Sequence, residues 1–138
     1  MLTIGELSKA TGANISTIRH YERVGLLPAP SRSDGNQRRY TDSARAQLAF
    51  ISQARDLGIS IDDIRDMIEL TTQPSLEEAD ARRIVGEQLS NVTLKMSRLT
   101  KLHRELERLS RLDPADNPDS RLIEVLALET RPGSQAEK

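Results

Sequence analysis

Apolar residues recur along this chain with helical spacing, in segments separated by glycine, proline and small polar residues. Leu7 and Ala10 follow a T-x-x-E pair at Thr3 and Glu6. That pair is a capping box, so a first helix starts there and stops at Gly12. Asn14 caps a second helix, whose Ile15, Ile18 and Tyr21 share one face and which ends near Gly25. Pro28 and Pro30 block its continuation. Residues 31–40 are polar and turn-prone around Asp34-Gly35-Asn36, which predicts a two-stranded ribbon. A third helix starts near Thr41 or Asp42 and keeps its spacing through Ala44, Leu48, Ile51 and Ala54 to Gly58. Ser60 caps a fourth helix carrying Ile61, Ile64, Met67 and Ile68, and Thr71 to Pro74 reads as a linker.

Ser75 and Glu78 form a second capping box, which opens the longest helical pattern in the chain. Val85, Leu89, Val92, Met96 and Leu99 alternate steps of four and three, a heptad rhythm. At Leu99 the stepping changes: Leu102, Leu106 and Leu109 continue a seam, while the original register would bring in His103 and Ser110. The opposite face is rich in Lys, Arg and Glu, and no other helix is long enough to cover the seam. It therefore reads as a dimerisation surface, formed by Val85, Leu89, Val92, Met96, Leu99, Leu102, Leu106 and Leu109. Asp113-Pro114 ends the helix. A loop, a short apolar helix over residues 122–128 and a disordered tail from Arg131 follow. The expected organisation is mostly α: residues 1–74 as a DNA-binding-type domain, 75–112 as a coiled-coil helix, and 113–138 as loop, short helix and tail.

Composition narrows the chemistry. The sequence has one Phe, two Tyr and no Trp, so a large globular core is not expected and dimerisation is a natural remedy. It has no cysteine, which removes disulfides, thiolate metal sites, cysteine-held iron–sulfur clusters and redox thiols. No cofactor and no metal site are expected. No apolar run approaches the length of a membrane span, and the N-terminal pattern is not that of a signal peptide, so the expected location is cytoplasmic. The net charge of −1 conceals an asymmetry. It is +3 over residues 1–58, −3 over 59–74, +2 over 75–111 and −3 over 112–138. Where the arginines lie matters more than their number. They cluster on the second helix and the ribbon, as in a helix-turn-helix with a wing. There is no nucleophile–base constellation, phosphate loop or metal motif, so an enzyme is not expected.

Four ordered segments carry a family resemblance: T-I-G-E-L-S at residues 3–8, I-R-H-Y-E-R-V-G-L-L at 18–27, R-S-D-G-N-Q-R-R-Y at 32–40 and A-R-D-L-G-I-S-I-D-D-I-R at 54–65. Together with the seam, they resemble the MerR family of bacterial transcription regulators. The resemblance implies a homodimer whose N-terminal winged helix-turn-helix units bind double-stranded DNA at a near-palindromic promoter operator. It implies that the long helices pair as an antiparallel coiled coil. It also implies that DNA distortion lets RNA polymerase engage both promoter elements.

Site residues follow from the matched motifs. Ser16, Thr17 and Arg19 would face the major groove. Tyr21, Arg32, Arg38 and Tyr40 would reach phosphates, although Tyr21 and Tyr40 read equally well as packing residues. Arg23, Arg39 and Arg55 read as solvated or locally paired, and His20 as packing or phosphate-proximal. The wing is similar to that of the family's redox-sensing branch, but the cysteines that hold that branch's cluster are absent. The metal-sensing branch's cysteine positions here offer carboxylates and a hydroxyl. This leaves an organic small-molecule effector, or none. The seam near His103, where the stepping changes, would be the place for one. Two other readings stay open: an effector-independent architectural binder or repressor, and a coiled-coil protein-interaction adaptor.

Overall fold

Capping chemistry sets most helix starts in the computed structural model, which describes residues 1–32, 35, 38–112 and 122–127. The Thr3 hydroxyl accepts the Glu6 backbone N–H while the Glu6 carboxylate accepts the Thr3 N–H, and this capping box opens α1 (Ile4–Thr11). Gly12 closes α1 at φ 80°, a left-handed conformation that a side chain would strain. Asn14 caps α2 (Ile15–Arg23), Thr41 caps α3 (Asp42–Asp56) and Ser60 caps α4 (Ile61–Thr72). The fourth helix thus runs into the segment expected to be a linker. Its last turn carries Leu70, which the apolar spacing through Ile68 did not include.

Between α2 and α3 lies the ribbon. Strands β1 (Ser31–Arg32) and β2 (Arg38–Arg39) pair antiparallel, with Ser31 opposite Arg39 and Arg32 opposite Arg38. Ser33, Asp34, Asn36 and Gln37 lie outside the described residues. The N-terminus extends this pairing: Leu2 and Tyr40 exchange both backbone hydrogen bonds, each 2.8 Å long. The sequence pattern did not predict this link. It fastens the base of the ribbon to the start of α1.

The chain divides into two compact units, residues 1–81 and 82–138. The core of the first is made by Leu7 of α1, Ile18 of α2, Leu48 and Ile51 of α3, and Ile64 of α4, all fully buried. Leu26, Leu27 and Tyr40 fill the space between helices and ribbon. Burial of each such aliphatic side chain stabilises the unit by about 1.5–3 kcal/mol. This core gives the wing and α2 a common base.

The second unit contains most of α5 (Glu78–Ser110), a helix of 33 residues. At 1.5 Å per residue it is about 50 Å long. It begins three residues after the expected Ser75 cap. The short α6 (Leu122–Ala127) is the helix predicted over residues 122–128, with Leu128 outside the described residues. The loop 113–121 and the tail from Arg131 also lie outside them. Along α5, Val85, Leu89, Val92, Met96, Leu99 and Leu106 are exposed, whereas Leu102 and Leu109 are half-buried. The exposed stripe therefore keeps its heptad register through His103 to Leu106. His103 is itself exposed, with its Nδ1 3.5 Å from Glu107 Oε1. Buried Glu105 is held by Arg108 at 2.6 Å.

Candidate nucleic-acid interface

Helical spacing sorts the residues of α2 into two faces. Ile18 and Tyr21 turn inward and are buried. Ser16, Arg19, His20 and Arg23 are exposed, and Thr17 is half-exposed. The inward pair fixes the rotation of the helix, which leaves the hydroxyls and Arg19 on the outer side. Asn14 orders the first turn further. Its Oδ1 accepts the Thr17 backbone N–H and the Ser16 hydroxyl, both at 2.8 Å. The Ser16 hydroxyl is thus prepositioned by a neighbour. His20 is not a core residue: its exposed ring lies 5.9 Å from that of Tyr21, at 45°.

The end of α2 is held from two sides. Gly25 takes φ 81°, and the Leu26 N–H returns to the Tyr21 carbonyl at 2.9 Å. From α3, the Gln47 side-chain amide donates to the Leu26 carbonyl at 2.6 Å. From α4, Arg65 Nη2 donates to the Val24 carbonyl at 2.8 Å, while Nη1 lies 3.5 Å from Asp62. These contacts occupy carbonyls that a helix end leaves without intrahelical partners. Gln47 and Arg65 are positioning residues that sequence reasoning missed. Arg65 ends the fourth matched segment, but spacing alone assigns it no partner 41 residues away.

The two tyrosines separate less than expected. Tyr40 is a core residue, 1% exposed, and its hydroxyl donates to the Glu22 carboxylate. Of the two readings left open for it, packing is what the fold uses. Tyr21 is 9% exposed, with its ring in the same core. Arg32 and Arg38 face each other across the ribbon by backbone register; their side chains lie outside what is described. Arg39 is half-buried, and its Nη1 is enclosed without a hydrogen-bond partner. Arg55 was expected to be solvated or ion-paired; it donates instead to the Ile59 carbonyl at 2.7 Å, closing the turn between α3 and α4.

Glu6 is the one described carboxylate with a resolved shift. The Thr3 backbone N–H holds its carboxyl below the ordinary range, helped by the Thr3 hydroxyl and the charge of Arg39. That arrangement belongs to the α1 cap and carries no catalysis. Among the described residues no three His, Asp or Glu side chains group as a metal site, and no helix is long and apolar enough to cross a membrane.

A helix-turn-helix with an antiparallel wing, followed by a long helix with an exposed apolar stripe, defines a DNA-binding regulator. Residues 2–71 match the family model described as MerR HTH family regulatory protein, and residues 45–109 match that described as MerR, DNA binding. The chain is 37% identical over 108 residues to the mercuric resistance operon regulatory protein of Serratia marcescens, covering 78% of this chain and 74% of that protein. It is 30% identical over 118 residues to the HTH-type transcriptional regulator ZntR homolog of Haemophilus influenzae, covering 86% and 87% of the two chains. Among solved structures it is similar to the transcription regulator PbrR691 from Ralstonia metallidurans CH34 in complex with lead(II), with a TM-score of 0.55 and 35% identity over 91% of this chain and 99% of that one. The chain belongs to the MerR family of transcription regulators. It is a DNA-binding transcription regulator, not an enzyme, and regulators of this family bind promoter DNA and act as homodimers.

Proposed function

We propose that a homodimer of this chain binds a near-palindromic promoter operator, one winged helix per half-site, and distorts the DNA so that RNA polymerase engages both promoter elements. The observation that carries this reading is the outer face of α2. Ser16, Thr17 and Arg19 stand on it above buried Ile18 and Tyr21, with the wing beside it. Ser16, Thr17 and Arg19 are read as base-edge contacts, since arginine and hydroxyl groups fit the donor and acceptor pattern of the major groove. Arg32 and Arg38 of the wing are read as phosphate contacts, and Tyr21 as a residue whose ring packs while its hydroxyl reaches a phosphate. Tyr40 serves by holding Glu22 and the ribbon base.

The named relatives include a mercuric resistance regulator and a lead(II) complex. Thiophilic metal ions prefer sulfur ligands, and this chain has no cysteine. The donor set does not fit such an ion, and an organic effector, or none, is the reading for this chain.

Selection of bound genomic fragments would supply an operator, and transcription in vitro from that promoter tests the proposal. Arg38→Ala should weaken binding to all sequences alike and flatten the salt dependence by roughly one unit of slope. Arg19→Ala and Ser16→Ala should change preference among operators. Equal losses at every sequence for all three variants would defeat the assignment of base and phosphate roles. Operator binding without any change in polymerase engagement would defeat the distortion mechanism.

A further inference from the structure

The exposed stripe of α5 contains enough asymmetry to set the register of the helix pair. Its members are Val85, Leu89, Val92, Met96, Leu99 and Leu106, with exposures from 38% at Val92 to 65% at Leu89. They fall at alternating heptad positions, and His103 takes the one remaining seam position between Leu99 and Leu106. Leu102 and Leu109, half-buried, lie at the margin of this stripe and not in it. Gly86, Thr93 and Thr100 form the other margin. A Cβ built at Gly86 would meet nothing within 4 Å, so a second helix has close access there.

We infer that the occupant of this stripe is the α5 helix of a second copy, antiparallel, with the two-fold axis passing between Ser97 and Arg98. This rests on the homodimer reading above and adds its register. In this register Met96 meets the partner's Leu99, and Leu89 meets the partner's Leu106. Val92 meets the partner's His103, so the one polar seam residue always faces a small aliphatic one. A single polar residue in an apolar seam specifies register at some cost in stability.

Neighbouring registers are worse for reasons visible in the sequence. A shift by one heptad toward the N-terminus sets Lys95 against its own copy in the partner, bringing like charges together. The same shift sets Leu106 against the partner's Arg82. A shift the other way sets Leu99 against the partner's His103 and Val92 against the partner's Ser110, and leaves Leu89 beyond the helix end. A two-fold axis at Leu99 itself would require Leu102 and Leu109 as seam residues, but their own chain already half-covers them. Only the proposed register keeps Leu89, Met96, Leu99 and Leu106 on apolar partners and Lys95 away from itself.

The absence of cysteine makes the full chain a ready background for the test. Ser90→Cys, Thr93→Cys, Thr100→Cys and Arg104→Cys, all at exposed positions, would each carry a nitroxide label, and pulsed dipolar spectroscopy would give the distance across the dimer. With 1.5 Å rise per residue, the displacement along the helix axis is about 22 Å at residue 90, about 14 Å at 93, about 8 Å at 100 and about 20 Å at 104. Near-matched long distances at Ser90 and Arg104, with the shortest at Thr100, are expected. A much shorter distance at Ser90 than at Arg104, or the reverse, would overturn the register in favour of a shifted axis. Uniformly short distances would overturn antiparallel pairing.

As a second measurement, mixed Met96→Cys and Leu99→Cys chains should form a disulfide-linked heterodimer on mild oxidation. Mixed Met96→Cys and Leu89→Cys chains should not. The opposite pattern overturns the register. A wild-type monomer in sedimentation would instead remove the homodimer on which the register rests, so the two failures are distinguishable.

Discussion

Arg65 on α4 donates from Nη2 to the carbonyl of Val24, 2.8 Å away, and so ties the fourth helix to the end of the helix that faces DNA. Arg65→Met keeps much of the aliphatic stem and removes the donor. A charge-assisted hydrogen bond at a half-exposed site should contribute about 1 kcal/mol. We expect a loss of that size in chemical denaturation, together with weaker binding to every operator sequence and an unchanged dimer. Full stability with full binding would show that the contact positions nothing.

Tyr40→Phe separates a packing role from a phosphate contact. The ring stays in the core, and the hydroxyl bond to Glu22 is lost. Stability should fall by about 1 kcal/mol, while the salt dependence of DNA binding stays as it was. A slope reduced by roughly one unit at unchanged stability would restore Tyr40 to the phosphate contacts.

Aspartate at the apolar stripe should separate the protomers. Leu99 and Leu106 are exposed in the single chain, and each buried leucine of a helix pair contributes about 1.5–3 kcal/mol. The Leu99→Asp, Leu106→Asp double variant should sediment as a monomer and lose most operator affinity, with the fold of residues 1–81 intact by circular dichroism. A dimeric double variant would place the interface elsewhere.

The α1 cap should make stability acid-sensitive. The Thr3 N–H holds the Glu6 carboxyl below its ordinary value of 4.5. A lowered folded-state value means that the contribution is complete above the ordinary value and is lost as pH falls through the lowered one. Glu6→Gln should remove this portion of the acid dependence, and Thr3→Ala should cost about 1 kcal/mol at neutral pH. Parallel wild-type and Glu6→Gln stability curves across the acid range would dismiss the linkage.

Promoter activity should be indifferent to thiol alkylation, because the sequence contains no cysteine. Mercuric, copper(I) and cadmium ions at low concentrations should leave transcription in vitro unchanged. A tight, productive response to any of them would overturn the reading of its effector chemistry.

The sequence by itself determined the elements that depend on neighbours a few residues apart. The capping box of Thr3 and Glu6, the caps at Asn14, Thr41 and Ser60, the glycine ends of α1 and α2, and the heptad rhythm from Val85 to Leu99 are all local, and each has a distinct residue signature. The outward placement of Ser16 and Arg19 was legible for the same reason, since Ile18 and Tyr21 fix the rotation of a short helix.

Only the tertiary structure decided the relations that join distant segments. Leu2 pairs with Tyr40, Glu22 accepts from Tyr40, and Gln47 and Arg65 hold the carbonyls at the end of α2. A hydrogen bond between residues far apart leaves no periodic trace, because nearly any polar side chain can make it once the core brings the partners together. The seam beyond Leu99 was ambiguous for a related reason. Steps of three and of four both lie near the helical repeat, so Leu102 and His103 compete for the same stripe until the fold half-covers one and leaves the other exposed.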